Sequence, residues 1–367
     1  MTKQCIQFCR SPDGVRIAYA TAGTGPPLVR AANWLTHLDL DWKSPIWSHW
    51  FEALSQHHTL VRYDIRGTGL SDHVVDDLSL DAWVRDLETV VDDLGLRRFP
   101  LVGLCQGGAA AIAYAVRHPE RVSQLILFGS YIQGGLMDDG GVISHQEVEA
   151  LHELISVGWG EDRAAFRQIF VNLLMPEASK EQQDWLSELQ RRTVSPETAA
   201  RLWRAFNEVD IADHARQVQA PTLVFHVRGD CMVPFDEGRR LAALIPNARF
   251  VPLEGKNHIL RDTEPAWSHF LTELYSFLDS TPPDPKSNGA QRPFADLTPR
   301  EHEVLELIAQ GLDNEAIAES LVVAPKTVRN HVTRIYSKLM VDSRAQAIVR
   351  AREAGYGVNN QPVRVRD

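Results

Sequence analysis

The chain has 367 residues, 44% hydrophobic and 23% charged, a composition that suits folded domains and excludes a disordered chain. At roughly 100–200 residues per domain, the length predicts two domains, or one large and one small. The net charge of −10 argues against non-specific nucleic-acid binding, but from Phe294 onward ten basic residues balance ten acidic ones, so the excess lies on residues 1–293.

In chain order, Cys5–Cys9 and Val15–Thr21 flank Asp13-Gly14 and predict a hairpin. Short β-rich runs follow at Pro27–Ala31, Thr59–Asp64, Phe99–Gly103, Gln124–Gly129, Thr222–Val227 and Arg249–Leu253, with helical patterns such as Leu80–Leu94 and Ala109–His118 between them. This alternation predicts an α/β fold with a mostly parallel sheet covered by helices on both faces. From about Tyr131 to Val218 only helix-like runs occur (Arg163–Leu174, Lys180–Arg192, Pro196–Val209), which predicts an all-helical lid over the strand ends. Ser280 to Pro293, STPPDPKSNGAQRP, is poor in large apolar residues and reads as a flexible linker. It leaves a first domain over residues 1–279, with its lid at about 131–218, and a second over 294–367.

The second domain reads as four helices. Thr298-Pro299-Arg300-Glu301 is a capping box, Asn314 caps a short second helix, Pro325 opens a third, and Ser343-Arg344-Ala345-Gln346 is a further capping box. The third helix carries Lys326, Arg329, Arg334 and Lys338 without an acidic residue, the electrostatic footprint expected of a major-groove helix.

Gly103-Leu104-Cys105-Gln106-Gly107 lies between a predicted strand and a small-residue helix, the context of a nucleophile elbow with Cys in place of Ser. The helix start directs N–H groups and a positive dipole end at that side chain, which favours a thiolate. Asp230 follows the strand Thr222–Val227 and His258 follows Arg249–Leu253, so nucleophile, acid and base come in the expected chain order, each at the C-terminal end of a strand. The competing reading of Cys105 is a buried structural thiol.

With Asp64-Ile65-Arg66-Gly67-Thr68-Gly69-Leu70-Ser71 and Arg117-His118-Pro119-Glu120-Arg121-Val122, this region resembles the α/β-hydrolase fold. The resemblance implies Cys105, Asp230 and His258 as catalytic residues, as in the dienelactone-hydrolase type, and oxyanion donors at Gln106 and at Trp34 or Asn33. Ala31-Ala32-Asn33-Trp34 departs from the usual His-Gly at that loop. The cluster Trp34, Trp42, Trp47, Trp50 and Phe51 reads either as a pocket lining or as core.

Leu297-Thr298-Pro299-Arg300-Glu301, Asn314-Glu315-Ala316-Ile317-Ala318 and Lys326-Thr327-Val328-Arg329-Asn330-His331-Val332 resemble the LuxR-type helix-turn-helix. That resemblance implies base contacts from Arg329, Asn330 and Thr333 and phosphate contacts from Lys326, Thr327 and Arg334. It further implies a supporting role for His331 and a homodimer on a double-stranded DNA operator.

No apolar run approaches the ~18 residues of a membrane span, and Met1–Arg10 lacks the pattern of an export signal. Cys5, Cys9, Cys105 and Cys231 have neither disulfide nor zinc spacing, which points to a reducing cytoplasm. No cofactor and no metal are implied, since His37, His49, His57 and His58 form no ligand pattern. Together the two halves predict a one-component transcriptional regulator sensing a small carbonyl ligand at Cys105. An active thiol-dependent esterase or lactonase, and a redox switch at Cys105, are the alternatives.

Overall fold

The runs read as strands assemble into one eight-stranded sheet: β1 (Cys5–Arg10), β2 (Arg16–Ala22), β3 (Pro27–Arg30), β4 (Thr59–Tyr63), β5 (Phe99–Leu104), β6 (Val122–Phe128), β7 (Thr222–Val227) and β8 (Arg249–Leu253). Their order is β1-β2-β4-β3-β5-β6-β7-β8. β2 runs antiparallel to both β1 and β4, and every pair from β4 to β8 is parallel. The computed structural model describes residues 3–137, 141–160, 165–280, 294, 297, 299–321, 323–339, 341, 343–353 and 356. These fall into two units, Met1–Pro282 and Pro283–Asp367.

Strand periodicity of two divides the first unit's core into two layers. Leu101, Leu125, Leu127 and Val224 point to one face, under Trp83, Leu87 and Val91 of α3 (Leu80–Asp93) and the small residues of α4 (Gly107–Arg117). Val102, Ile126, Phe128 and Phe225 point to the other. Their cover is Trp50, Phe51 and Leu54 of α2 (Ser48–Gln56), which follows the short α1 (Leu38–Trp42), and Trp267, Phe270 and Leu274 of α11 (Pro265–Asp279). Central strands covered on both faces are continuously apolar, and all six residues of β7 are buried.

Between β6 and β7 lie α5 (His145–Gly158), α6 (Ala165–Leu174), α7 (Lys180–Thr193), α8 (Pro196–Asn207) and α9 (Ala212–Gln217); α10 (Phe235–Leu244) separates β7 from β8. Residues 131–218 hold no strand among the described residues, only an isolated bridge between Gln133 and Asp210. Local chemistry sets the starts of these helices. Ser144 with Glu147 and Ser179 with Gln182 form reciprocal capping boxes, and Ser195 caps α8 with Pro196 at its first position.

The second unit comprises α12 (Pro299–Ala309), α13 (Asn314–Ser320), α14 (Pro325–Leu339) and α15 (Arg344–Glu353) around Val304, Leu305, Ile308, Ile317, Val328, Val332, Ile335 and Leu339. One cap differs from expectation. Asp313, not Asn314, caps α13, accepting the N–H groups of Glu315 and Ala316, because its extended backbone aims the carboxylate at the helix start. Asn314 is the first helical residue, and its Oδ1 accepts a bond from Arg344 Nη1 at 3.0 Å. Ser343 Oγ accepts the Gln346 N–H at 3.3 Å, as expected for the last helix. The expected cap Thr298 and residues 281–293 of the expected linker lie outside the described residues.

Candidate active site

Cys105 occupies the turn between β5 and α4 with φ +49°, left-handed backbone that costs a side-chain-bearing residue about 1–2 kcal/mol. The turn is fixed from both sides: the Cys105 N–H donates to Phe128 O (2.9 Å), and the Gly108 N–H to Cys105 O (3.0 Å). A Cβ at Gly103 would lie 2.7 Å from Gly108 Cα, and one at Gly107 would lie 2.7 Å from Ala32 O. Only glycine allows strand, helix and the Ala31–Trp34 loop to approach this closely. The thiol is buried.

Asp230 stands in the turn after β7. Its Oδ1 accepts the N–H groups of Met232 (2.8 Å) and Val233 (3.0 Å), which leaves Oδ2 for His258 Nδ1 at 2.6 Å. Burial opposes a charge on His258, yet the Asp230 carboxylate and the Cys105 sulfur outweigh it and hold the imidazolium form well above its usual range. The His258 segment is also tied to the helical layer: the N–H groups of His258 and Ile259 both donate to Leu174 O at the end of α6, at 2.8 and 3.3 Å. Cys105, Asp230 and His258, dispersed over 153 residues of sequence, are thus brought together.

His226 was not anticipated. It is buried within β7, its Nε2 lies 2.9 Å from Val233 O and 3.7 Å from Asp230 Oδ2, and burial lowers its pKa. The neutral ring donates to Val233 O and so steadies the turn that aims Asp230. A polar residue interrupting an apolar strand four positions before the acid was the available signal.

The expected oxyanion residues are arranged differently from one another. Asn33 is buried, and its Oδ1 accepts a bond from the buried Arg30, whose guanidinium lies 4.9 Å over the Trp47 ring. The Trp34 N–H donates to Gln106 Oε1 at 3.4 Å, a long bond within the place expected for an oxyanion. The Trp34 ring inserts among Trp159, Phe170, Trp203 and Phe206 of the helical layer, with centroids 5.5 to 6.3 Å apart among these partners.

Two cavities meet at Gln106. One, of about 30 Å³, is lined by Asn33, Trp34, Cys105, Gln106, Gln190 and His258, with apolar walls from both the sheet and the helical layer. The other, of about 320 Å³, is lined by Gln106, Tyr131, Glu147, Trp203, Cys231 and Met232 among others. Of the anticipated aromatic cluster, Trp34 and Trp47 reach the first cavity, whereas Trp42, Trp50 and Phe51 pack in the core. Among the described residues no group of three His, Cys, Asp or Glu is placed to hold a metal, and no helix is long and apolar enough to cross a membrane.

In the second unit, Lys326, Thr327, Arg329, Asn330, Thr333 and Arg334 are all exposed on α14, opposite its buried stripe, and His331 is half-buried. Thr333 Oγ1 donates to Arg329 O at 3.0 Å. Lys338 is committed elsewhere: its Nζ lies 2.7 Å from the buried Glu301 of α12, so three of the four anticipated cations face outward without that tie.

Comparison with known proteins agrees with both architectures. The family model "alpha/beta hydrolase fold" matches residues 37–265, and "Bacterial regulatory proteins, luxR family" matches 295–351. A pyrrolizixenacetamide deacetylase of Xenorhabdus hominickii is 26% identical over 72% of this chain and 94% of its own length. A non-heme haloperoxidase of Rhodococcus erythropolis is 28% identical over 75% of this chain and 100% of its own length. Among solved structures, a bromoperoxidase from Bacillus anthracis superposes with a TM-score of 0.64 at 22% identity, covering 75% of this chain and 99% of its own. The eight-stranded mixed sheet, the strand–turn–helix at Cys105 and these matches make the chain a member of the α/β-hydrolase-fold family that carries a C-terminal LuxR-family DNA-binding domain.

Proposed function

We propose that the protein is a one-component transcriptional regulator: α14 reads a DNA operator, and the Cys105 site takes a small carbonyl compound, an ester, lactone or thioester. The observation that carries this reading is the Cys105, His258 and Asp230 arrangement, with its 2.6 Å contact from acid to base, in a chain that also holds a LuxR-family domain.

In this reading Cys105 Sγ adds to the carbonyl carbon, and the oxygen takes the charge. The N–H groups of Gln106 and Trp34 receive it once Trp34 surrenders its 3.4 Å bond to Gln106 Oε1. His258 delivers its Nε2 proton to the leaving oxygen or sulfur, and a thioester remains on Cys105. Water, deprotonated by the same imidazole, then releases the acid and restores the thiol. If this second half is slow, the acylated protein persists as the signalling state. DNA affinity changes only to the extent that the ligand binds one conformational state better than another. A homodimer on a two-fold operator fits the 55% exposed Val349 of α15.

The second reading is a true thiol hydrolase. The Asp230 to His258 contact favours it, and so does the relative named a deacetylase. A redox switch fits less well with a thiol only 5% exposed. Intact-mass spectrometry and a turnover assay with p-nitrophenyl acetate, a thioester and a lactone, wild type beside Cys105→Ala, separate the readings. A Cys105-dependent adduct that clears with product makes the domain an enzyme, and a lasting adduct that alters operator binding makes it a covalent sensor. Operator binding indifferent to all three compounds overturns the sensor reading.

A further inference from the structure

Gln190 lies on α7, where Leu186, Leu189 and Thr193 mark the inward face at spacings of three and four. The amphipathic pattern calls for an apolar side chain at this position. The side chain is instead an amide, 1% exposed, that lines the cavity holding Cys105 and His258. Neither its Nε2 nor its Oε1 has a hydrogen-bond partner among the described residues. Buried amides left in this state are rare, because each unpaired donor or acceptor loses its water without replacement.

The other polar atoms at the cavity explain why none of them meets Gln190. The Asn33 amide oxygen is taken by Arg30, and the Gln106 amide oxygen by the Trp34 N–H. The remaining wall is largely hydrocarbon, including Leu104, Phe128, Leu174 and Leu186. Gln190 therefore presents an unpaired donor and an unpaired acceptor, side by side on a single amide, to the same cavity that Cys105 and His258 line.

We propose that Gln190 is a specificity-determining binding residue that pairs with an amide-type group, a C=O with an adjacent N–H, on the ligand. The proposal rests on the reading of the Cys105 cavity as the ligand site and narrows the carbonyl class to compounds carrying a neutral amide, carbamate or ureide. A ketone or simple ester offers only acceptors and leaves Gln190 Oε1 unpaired. A carboxylate offers no donor and likewise leaves Gln190 Oε1 unpaired. At about 30 Å³ the space beside Cys105 suits a group of a few heavy atoms, not a long acyl chain.

The test uses two unreactive probes of nearly equal shape, N-methylacetamide and butanone, which differ by one N–H in place of a CH2. Dissociation constants for the full-length wild type, Gln190→Leu and Gln190→Met come from ligand-observed saturation-transfer NMR, with a melting curve for each protein. Wild type is expected to prefer N-methylacetamide about tenfold, the size of one well-made buried hydrogen bond, and both variants to bind the two probes alike. If Gln190→Leu fails to fold, Gln190→Met, which keeps the length of the chain, carries the comparison. A wild type that binds both probes equally, or neither, overturns the proposal. So does a variant that keeps the preference, whatever its melting temperature, since a purely structural amide moves stability and not the ratio. Neither probe can acylate a thiol, so failure of the Cys105 chemistry appears only in the ester and lactone assay and leaves this measurement readable.

Discussion

Asp230 gives one carboxylate oxygen to two backbone N–H groups and the other to His258, so its position is fixed before a ligand arrives. Asp230→Asn keeps the shape but holds the imidazole in the wrong tautomer; turnover, if present, is expected to fall by about three orders of magnitude with the fold intact. Stopped-flow acylation beside a circular-dichroism melt checks it. Asp64 is treated differently. Its Oδ2 accepts the N–H groups of Leu38 (3.1 Å) and Leu70 (2.8 Å), while its Oδ1 has no partner among the described residues. Burial, assisted by the nearby Asp41, pushes its pKa up to about 7. The folded protein therefore holds this proton to higher pH than the unfolded chain, and the native state loses stability from this group as pH rises from about 4 to about 7. Asp64→Asn removes that slope. Relative to wild type the variant is expected to gain on the order of 2 kcal/mol between pH 4.5 and pH 8, read from urea titrations at the two pH values.

At the scale of elements, the outward and inward faces of α14 make separable predictions. Lys338 reaches back to the buried Glu301 of α12 and acts within the domain. Lys338→Ala takes a charge-assisted bond from a buried carboxylate and is expected to destabilise the C-terminal unit by about 1–3 kcal/mol. Arg329→Ala, on the exposed face, is expected to leave the melting curve unchanged and to weaken a cognate operator by roughly 1–3 kcal/mol. Fluorescence anisotropy and differential scanning calorimetry on the same two variants give the contrast. Interchanged results would assign the helix faces wrongly.

Over the whole molecule, legibility followed how local each cause was. The hairpin at Asp13-Gly14, and β7 and β8 to the residue, were readable because turn formers bound apolar runs on both sides. The elbow was readable because Gly103 answers a steric demand from Gly108, five residues on, whereas the demand at Gly107 comes from the distant Ala32. Asp313 displaced Asn314 as a cap because both are good caps and only the backbone path chooses between them. Gln190 gave only the faint signal of a polar residue on the apolar stripe of a helix full of polar residues. The bond from the Trp34 N–H to Gln106 joins residues 72 apart and has no local trace. The second unit's outward cations Lys326, Arg329 and Arg334 predict a salt dependence. With Lys326 and Arg334 on phosphates, operator affinity should fall with a log–log slope of about −2 for each bound protomer, with about one unit lost in Arg334→Ala.

One carbonyl in α6 has a consequence for timing. Because Leu174 O holds the N–H groups of both His258 and Ile259, the imidazole hangs from the helical layer as well as from the sheet. A compound large enough to prop α6 away from the strands would pull His258 out of line with Cys105 at the same moment. Under the proposed chemistry, bulky visitors would then not merely be slow to react; they would disarm the cysteine for as long as they stay, making the dwell of a guest and the consumption of a guest mutually exclusive fates.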